Sequence, residues 1–219
     1  MPNKNFTQSE YFSKSSKDNS KPKFNNIWDF IFKNIIGLFK GFFDSVQTLV
    51  IALALFVIVY LWILAPHQVS GMSMYPTFHN GDILLADKLT PRFQNYNRGD
   101  VIIFKYDDTK DFIKRIVGMP GENVRLSAGN VYINGNLLKE PYLPSGTQTF
   151  ATNSGVMTDD QDVNIPKDSY FVLGDNRGES SDSRVIGFIN PSQHEIKGRV
   201  WVIYWPFDRI RIQSGIKYS

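Results

Sequence analysis

From Leu49 to Ala65 the chain carries no charged residue, no proline and no glycine. Such a run has no polar stripe to turn towards water, so it constrains the rest of the chain more than any other stretch. Residues 46–65 together make about 20 positions, which at about 1.5 Å rise per residue match the roughly 30 Å hydrocarbon core of a bilayer. Tyr60 and Trp62 lie near one end, where aromatic rings favour the membrane interface. A cleavable signal peptide would start close to the N-terminus and be followed by Ala-x-Ala. Here 45 residues precede the run and it ends Ala65-Pro66-His67, so the expectation is an uncleaved membrane anchor. A buried core helix is the remaining alternative.

Charge sets the expected orientation. Residues 1–65 hold seven Lys and four acidic residues, a net of +3, and residues 66–219 hold seventeen of each sign, a net of zero. Basic flanks stay on the cytoplasmic side, so the N-terminus is expected in the cytoplasm and residues 66–219 outside it, in a cell or thylakoid membrane. A neutral main domain argues against nucleic acid as a partner, because such binders present a basic face. The chain has no Cys, which excludes disulfides, thiolate chemistry and Cys-based zinc sites.

Residues 1–26 are rich in Lys, Ser and Asn and poor in large apolar residues; they cannot offset chain entropy by burial and read as a disordered tail. In residues 27–45, Asp29, Lys33, Gly37, Lys40 and Asp44 recur every three or four positions, away from Trp28, Phe32, Ile35, Phe39 and Phe42. That pattern predicts an amphipathic helix with a thin polar stripe, suited to the membrane interface or to a partner's membrane helix.

After residue 66 the pattern turns to short apolar runs with turn punctuation. Asp82–Asp87, Asp100–Tyr106, Phe112–Val117, Ser169–Gly174 and Gly198–Trp205 read as strands. Val131–Leu138 reads as a hairpin around Asn134-Gly135, a pair suited to the positive φ angles of a type I′ turn. Residues 140–165, dense in Pro, Gly, Ser, Thr and Asp, read as a loop or extended insert. No segment of this part has helical periodicity. The fold class expected is mainly β, closed or folded on itself to hide its edges, behind a single N-terminal transmembrane helix.

Three elements of this domain can carry chemistry together. Ser73 lies in a Gly-containing turn, Ser70-Gly-Met-Ser-Met-Tyr-Pro-Thr77, where a hydroxyl is exposed and backbone N–H groups can face a developing oxyanion. A serine needs a base to become a nucleophile. Lys114 shares its strand face with Phe112 and Ile116, while Arg115 points the other way. Burial on an apolar face lowers a lysine pKa and yields a neutral amine that can accept a proton; the bland alternative is a stem along the sheet with its ammonium in water. The third element is Gly174–Gly187, in which Asp175, Asp182, Arg177 and Arg184 can form mutual salt bridges and a serine can aim the lysine. His67, His79 and His194 lie in no distinctive polar setting and are taken as structural or solvated.

At these residues the chain resembles the type I signal peptidases, membrane-bound Ser-Lys serine proteases that remove signal peptides from exported proteins. Ser73-Met-Tyr-Pro-Thr77 resembles the nucleophile motif, Arg98-Gly-Asp-Val-Ile-Ile-Phe104 the strand motif after it, Phe112–Gly121 the general-base motif, and Gly174-Asp-Asn-Arg-x-x-Ser-x-Asp-Ser-Arg184 the last block. Four motifs in the family's order behind an anchor are a specific match, covering residues from about 46 onward. The resemblance implies a mainly β fold with Ser73 as nucleophile and Lys114 as general base. Ser180 would orient the amine, and Asp182, Arg184, Asp175 and Arg115 would support it. It implies an oxyanion donor in the Ser73 N–H. A second donor that some members draw from a serine two residues before the nucleophile falls here on Gly71, with Ser70 one residue further back; backbone geometry or Ser70 would supply it. The implied substrates are preproteins whose signal peptides end in small residues, Ala-x-Ala in type, with membrane lipid and the export machinery as partners and no metal or cofactor. Two rivals stand beside it: a tethered β-domain that binds extended peptides without cutting them, and a dedicated processing peptidase with one substrate.

Overall fold

A computed structural model describes residues 24–60, 64–89, 95–153, 155–213, 215, 216 and 218. The expected tail, apart from its last residues, and Trp62 lie outside the described residues. Helix α1 runs unbroken from Phe24 to Ile58. It joins the expected interfacial segment to most of the expected anchor, because no proline interrupts it and its glycines, Gly37 and Gly41, meet no crowding atom within 4 Å. Every side chain from Asn26 to Tyr60 is exposed, and the stretch Asn26–Ile58 is long and apolar enough to cross a membrane.

The second unit, from Phe56 onward, is built on two antiparallel sheets. The larger contains β1 (Leu64–Gln68), β2 (Ile83–Asp87), β3 (Val101–Lys105), β4 (Asp111–Gly118), β9 (Phe171–Leu173), β10 (Ile196–Trp205) and β11 (Arg211–Ile212). Its order is β1-β2-β10-β3-β4-β9, with β11 beside β10. The smaller contains β5 (Asn123–Ser127), β6 (Asn130–Ile133), β7 (Asn136–Leu137) and β8 (Val163–Asn164), in the order β7-β6-β5-β8. Leu64 and Ala65, expected at the end of the anchor, are thus the first residues of a strand. Pro66 is tolerated there because β1 has a neighbour on one side only.

Alternation explains the core. On β3, Val101 and Ile103 join Val69, Met74, Phe78, Leu84 and Val200 in one cluster. Ile102 and Phe104 join Ile116, Tyr170, Val172 and Ile189 in another. A strand buried on both faces reads as a continuous apolar run, as Val-Ile-Ile-Phe does. The small sheet closes over Val117, Phe171 and Leu173 with Val124, Leu126, Val131 and Ile133. The hairpin turn is as expected, with positive φ at both Asn134 and Gly135.

Of the two arrangements expected, closed or folded on itself, the large sheet takes an open path and not a closed ring: β1 is an edge, and among the described residues β9 pairs only with Arg115, Ile116 and Gly118 of β4. The first half of β4 therefore also keeps a free side. Helix is present too: Ser183–Ile186 forms a short helix, α2, and Phe207–Arg209 a 3-10 turn. Both are too short for periodicity to reveal them; α2 depends on Asp182 as its N-cap.

Candidate active site

The Ser73 turn is pinned from below by its apolar residues. Met74 and Phe78 are buried in the core, and Tyr75 and Phe78 donate backbone bonds to the Met72 and Met74 carbonyls. This leaves Ser73 half-buried at the rim while Ser70 and Gly71 stay exposed. Gly71 takes φ of 100°, a conformation open to glycine.

Lys114 comes to this turn from β4. It lies opposite Ile102 of β3 and is 3% exposed. Its Nζ donates to Ser73 Oγ at 2.9 Å and to the Ile113 carbonyl at 3.0 Å, with the Phe112 ring centre 4.9 Å away. Burial lowers its pKa to about 8 against the pull of the Asp182 and Asp175 carboxylates. The two side chains sought as nucleophile and base are thus in contact, in a setting that shifts the amine towards its neutral form.

Residues 174–184 wrap the other side. Asn176 donates its backbone N–H to the Ser73 carbonyl at 3.0 Å and its side-chain amide to the Met72 carbonyl at 3.2 Å. The loop's ion pairs differ from the expected mutual set. Only Asp182 and Arg184 pair within it, at 2.8 and 2.9 Å. Asp175 pairs with Arg115 of β4 at 2.9 and 2.6 Å, both side chains fully buried. Arg177 reaches Glu140 in the insert at 2.5 and 3.0 Å. Two of the loop's charges thus turn outward, one to strand β4 and one to the insert. Asp182 also accepts the Gly174 N–H at 3.0 Å, which closes the loop on itself.

Ser180 is not bonded to the amine: its Oγ is buried without a hydrogen-bond partner among the described residues. It crowds Gly174, where an added Cβ would meet Ser180 Oγ at 2.2 Å and the Ser73 carbonyl oxygen at 2.5 Å. Gly174→Ala is therefore expected to displace the Ser73 turn and lower any activity that depends on Ser73 about a hundredfold or more. Gly178→Ala, at a position with nothing within 4 Å, is expected to keep the parent rate. Equal rates for the two variants would contradict the crowding.

Of the candidate oxyanion donors, the Ser73 N–H has no partner among the described residues, whereas the Gly71 N–H already donates to Asn80 Oδ1 at 2.9 Å. The pair lies in a cleft of about 580 Å³ whose lining includes His67, Val69, Met74, Ile103, Phe112 and Ile113. One wall is the edge strand β1 and the other the unpaired first half of β4. His67 lines this cleft, but burial pushes its pKa down despite Asp111. His79 packs on Tyr75 and His194 on Phe104. No three His, Asp or Glu side chains converge among the described residues.

Residues missed from the sequence are Asn176 as a pin, Glu140, Tyr142 and Thr149. Asn176 sits in the recognised block but looks like any turn residue. The other three lie about thirty residues earlier in a polar insert, and no local pattern marks them.

The sequence model of the family described as "Signal peptidase, peptidase S26" matches residues 42–205. Signal peptidase I S of Bacillus subtilis is 35% identical over 78% of this chain and 94% of its own length. A signal peptidase I of Bacillus amyloliquefaciens is 38% identical over 75% of this chain and 86% of its own. A crystal structure of a signal peptidase I from Enterococcus faecalis aligns with 48% of this chain and 97% of its own, at 32% identity and a TM-score of 0.38. With a family match across three quarters of its length, the chain belongs to the signal peptidase I family of serine endopeptidases.

Proposed function

We propose that the protein cleaves signal peptides from exported preproteins after small residues, with Ser73 as nucleophile and Lys114 as general base. The observation that carries this is the 2.9 Å contact between Lys114 Nζ and Ser73 Oγ, with the lysine buried. The contact serves both protonation states: an ammonium donates to the hydroxyl, and a neutral amine accepts its proton. Ser73 Oγ attacks the scissile carbonyl carbon as its proton passes to Lys114. The Ser73 N–H faces the oxyanion, with Ser70 as a candidate second donor. The C–N bond then breaks and Lys114 gives the proton to the leaving amine. Water, deprotonated by Lys114, attacks the ester and releases the signal peptide's end, and Ser73 recovers its proton. Asp182, Arg184, Asp175 and Arg115 hold the loop beside the amine.

The free sides of β1 and β4 that face the cleft suit an extended peptide added as a strand. Val69, Met74, Ile103 and Ile113 leave room for small apolar side chains. Helix α1 holds the domain at the membrane surface with its substrates, its N-terminal side in the cytoplasm and the β-sheet domain on the other side. Exposed Trp201, Trp205 and Phe207 offer apolar contact to lipid, and delivery of preproteins falls to the export machinery.

The test is cleavage of preproteins with Ala or Leu at the first or third position before the cut, the products defined by mass. Ala at both is expected to give one cut, and Leu at either to lower kcat/KM about a hundredfold. Equal cleavage of all of them would reject the specificity. Because the neutral amine is the working form, kcat/KM is expected to rise with pH through about 8 and then level off. An acid limb at the pKa of an ordinary histidine, removed when the histidines are replaced by Gln, would assign the base elsewhere.

A further inference from the structure

Arg177 is an arginine 4% exposed, and each of its five N–H donors is used. Nε donates to the Gly174 carbonyl at 3.0 Å. Nη1 donates to Glu140 Oε2 at 3.0 Å and Thr149 Oγ1 at 2.5 Å. Nη2 donates to Glu140 Oε1 at 2.5 Å and Tyr142 Oη at 3.2 Å. The Tyr142 hydroxyl in turn donates to Glu140 Oε1 at 2.5 Å. Burial, with the Glu140 carboxylate beside it, holds that phenol far above its usual pKa, so it stays a donor.

This knot is tied to the reacting pair by three short routes. The Gly174 carbonyl that Arg177 grips belongs to the glycine wedged between Ser180 Oγ and the Ser73 carbonyl. The Arg177 carbonyl accepts from Arg184 Nη2 at 2.8 Å, and Arg184 holds Asp182. The Tyr142 ring lies under the Arg115 guanidinium at 4.1 Å, and Arg115 is the strand neighbour of Lys114. The insert, remote in sequence, thus supplies the only anion that Arg177 is paired with among the described residues.

We propose that Glu140 is a positioning residue for the cleavage reaction, acting through Arg177 to hold residues 174–184 against the Ser73 turn. This rests on Ser73 and Lys114 being the reacting pair. Without the carboxylate, a buried guanidinium is left uncompensated and turns towards water, taking the Gly174 carbonyl with it. The loop then lifts from Lys114 and water reaches the amine. The groups facing Lys114 are Asp175 and Asp182 from the loop, the Phe112 ring from β4 and Ser73 from the turn; Glu140 is not among them. Loss of its charge cannot raise the lysine's pKa by direct attraction, and an unpaired Arg177 would lower it. Hydration of the amine raises it, so the sign of the change identifies the cause.

The experiment measures kcat, KM and the pH dependence of kcat/KM for the full chain in detergent micelles on an Ala-x-Ala preprotein, well below every variant's Tm. The variants are Glu140→Gln and Val124→Ala, the second a small-sheet core change that destabilises without touching Arg177. Glu140→Gln is expected to lower kcat about tenfold or more, change KM less, and move the acid limb to higher pH. Val124→Ala is expected to lower Tm and leave kcat and the limb in place. The proposal is overturned by a parent-like kcat and limb in Glu140→Gln, by the same changes in Val124→Ala, or by a limb moved to lower pH. If Glu140→Gln does not fold, Tyr142→Phe, which removes only the hydroxyl, decides on the same criteria with smaller shifts of the same sign. Ser73→Ala in the same assay separates the two layers. Cleavage that survives it rejects the Ser-Lys reading, whereas cleavage that needs Ser73 but ignores Glu140 rejects this proposal alone.

Discussion

Ser73→Ala and Lys114→Met are each expected to lower kcat for preprotein cleavage by roughly 10⁴-fold or more, as when either member of a nucleophile–base pair is removed. Replacing His67, His79 and His194 by Gln is expected to leave kcat within a few-fold. The two inactivating changes should differ in stability. Lys114 is almost fully buried and its pKa lies near 8 when folded, against 10.5 unperturbed. Between those two values the unfolded chain holds a proton that the folded one has released, so stability rises with pH across that window. At neutral pH and below, the folded protein carries the full cost of a desolvated ammonium. A methionine of similar length fills the same space without it and is expected to stabilise the domain by about 1–3 kcal/mol. Urea unfolding at pH 7 with activity measured in parallel checks both parts. An active Lys114→Met protein, or one less stable than the parent, would contradict the role or the energetics respectively.

The second large effect is on stability. Arg115 and Asp175 are fully buried and joined by two hydrogen bonds, and Arg115 Nη1 also donates to the Gly99 carbonyl at 2.9 Å. Removing one partner strands a charge in the interior. Asp175→Asn or Arg115→Met is therefore expected to cost about 3–5 kcal/mol, which for a domain of this size lowers Tm by roughly 6–20 °C. Replacing both with apolar residues is expected to recover part of that, because no uncompensated charge remains. Single variants as stable as the parent, measured by thermal unfolding of the full chain in micelles, would mean that water reaches the pair. Asp175 also fixes the loop beside Lys114, so both single variants should lose activity at temperatures where they remain folded.

Much of this organisation is local and so lay open in the sequence. The apolar run required a helix, because only intrachain hydrogen bonds satisfy a backbone with no polar surroundings. Val101–Phe104 announced a strand buried on two faces, and Asn134-Gly135 a tight hairpin. Ser73, Lys114 and the 174–184 block were legible because each has a short motif of its own. That α1 passes straight through residue 45 was less visible: a thinning polar stripe changes a helix's surroundings without ending it.

Tertiary structure alone decided how those motifs meet. No spacing along the chain sets the 2.9 Å between Ser73 and Lys114, which lie 41 residues apart; β4 and the core-anchored turn set it together. The ion pairs of residues 174–184 were expected within the loop because sequence proximity suggests it. Their partners in fact come from Arg115 and Glu140, since a buried charge pairs with whatever opposite charge folding brings within reach. The Gly71 N–H is likewise spent on Asn80, a choice visible only in three dimensions. Residue type and local pattern determined what each segment is and which side chains are candidates for reaction. Distance, burial and the identity of each buried charge's partner depend on long-range packing, and these are the quantities that set the lysine's pKa and the serine's reach.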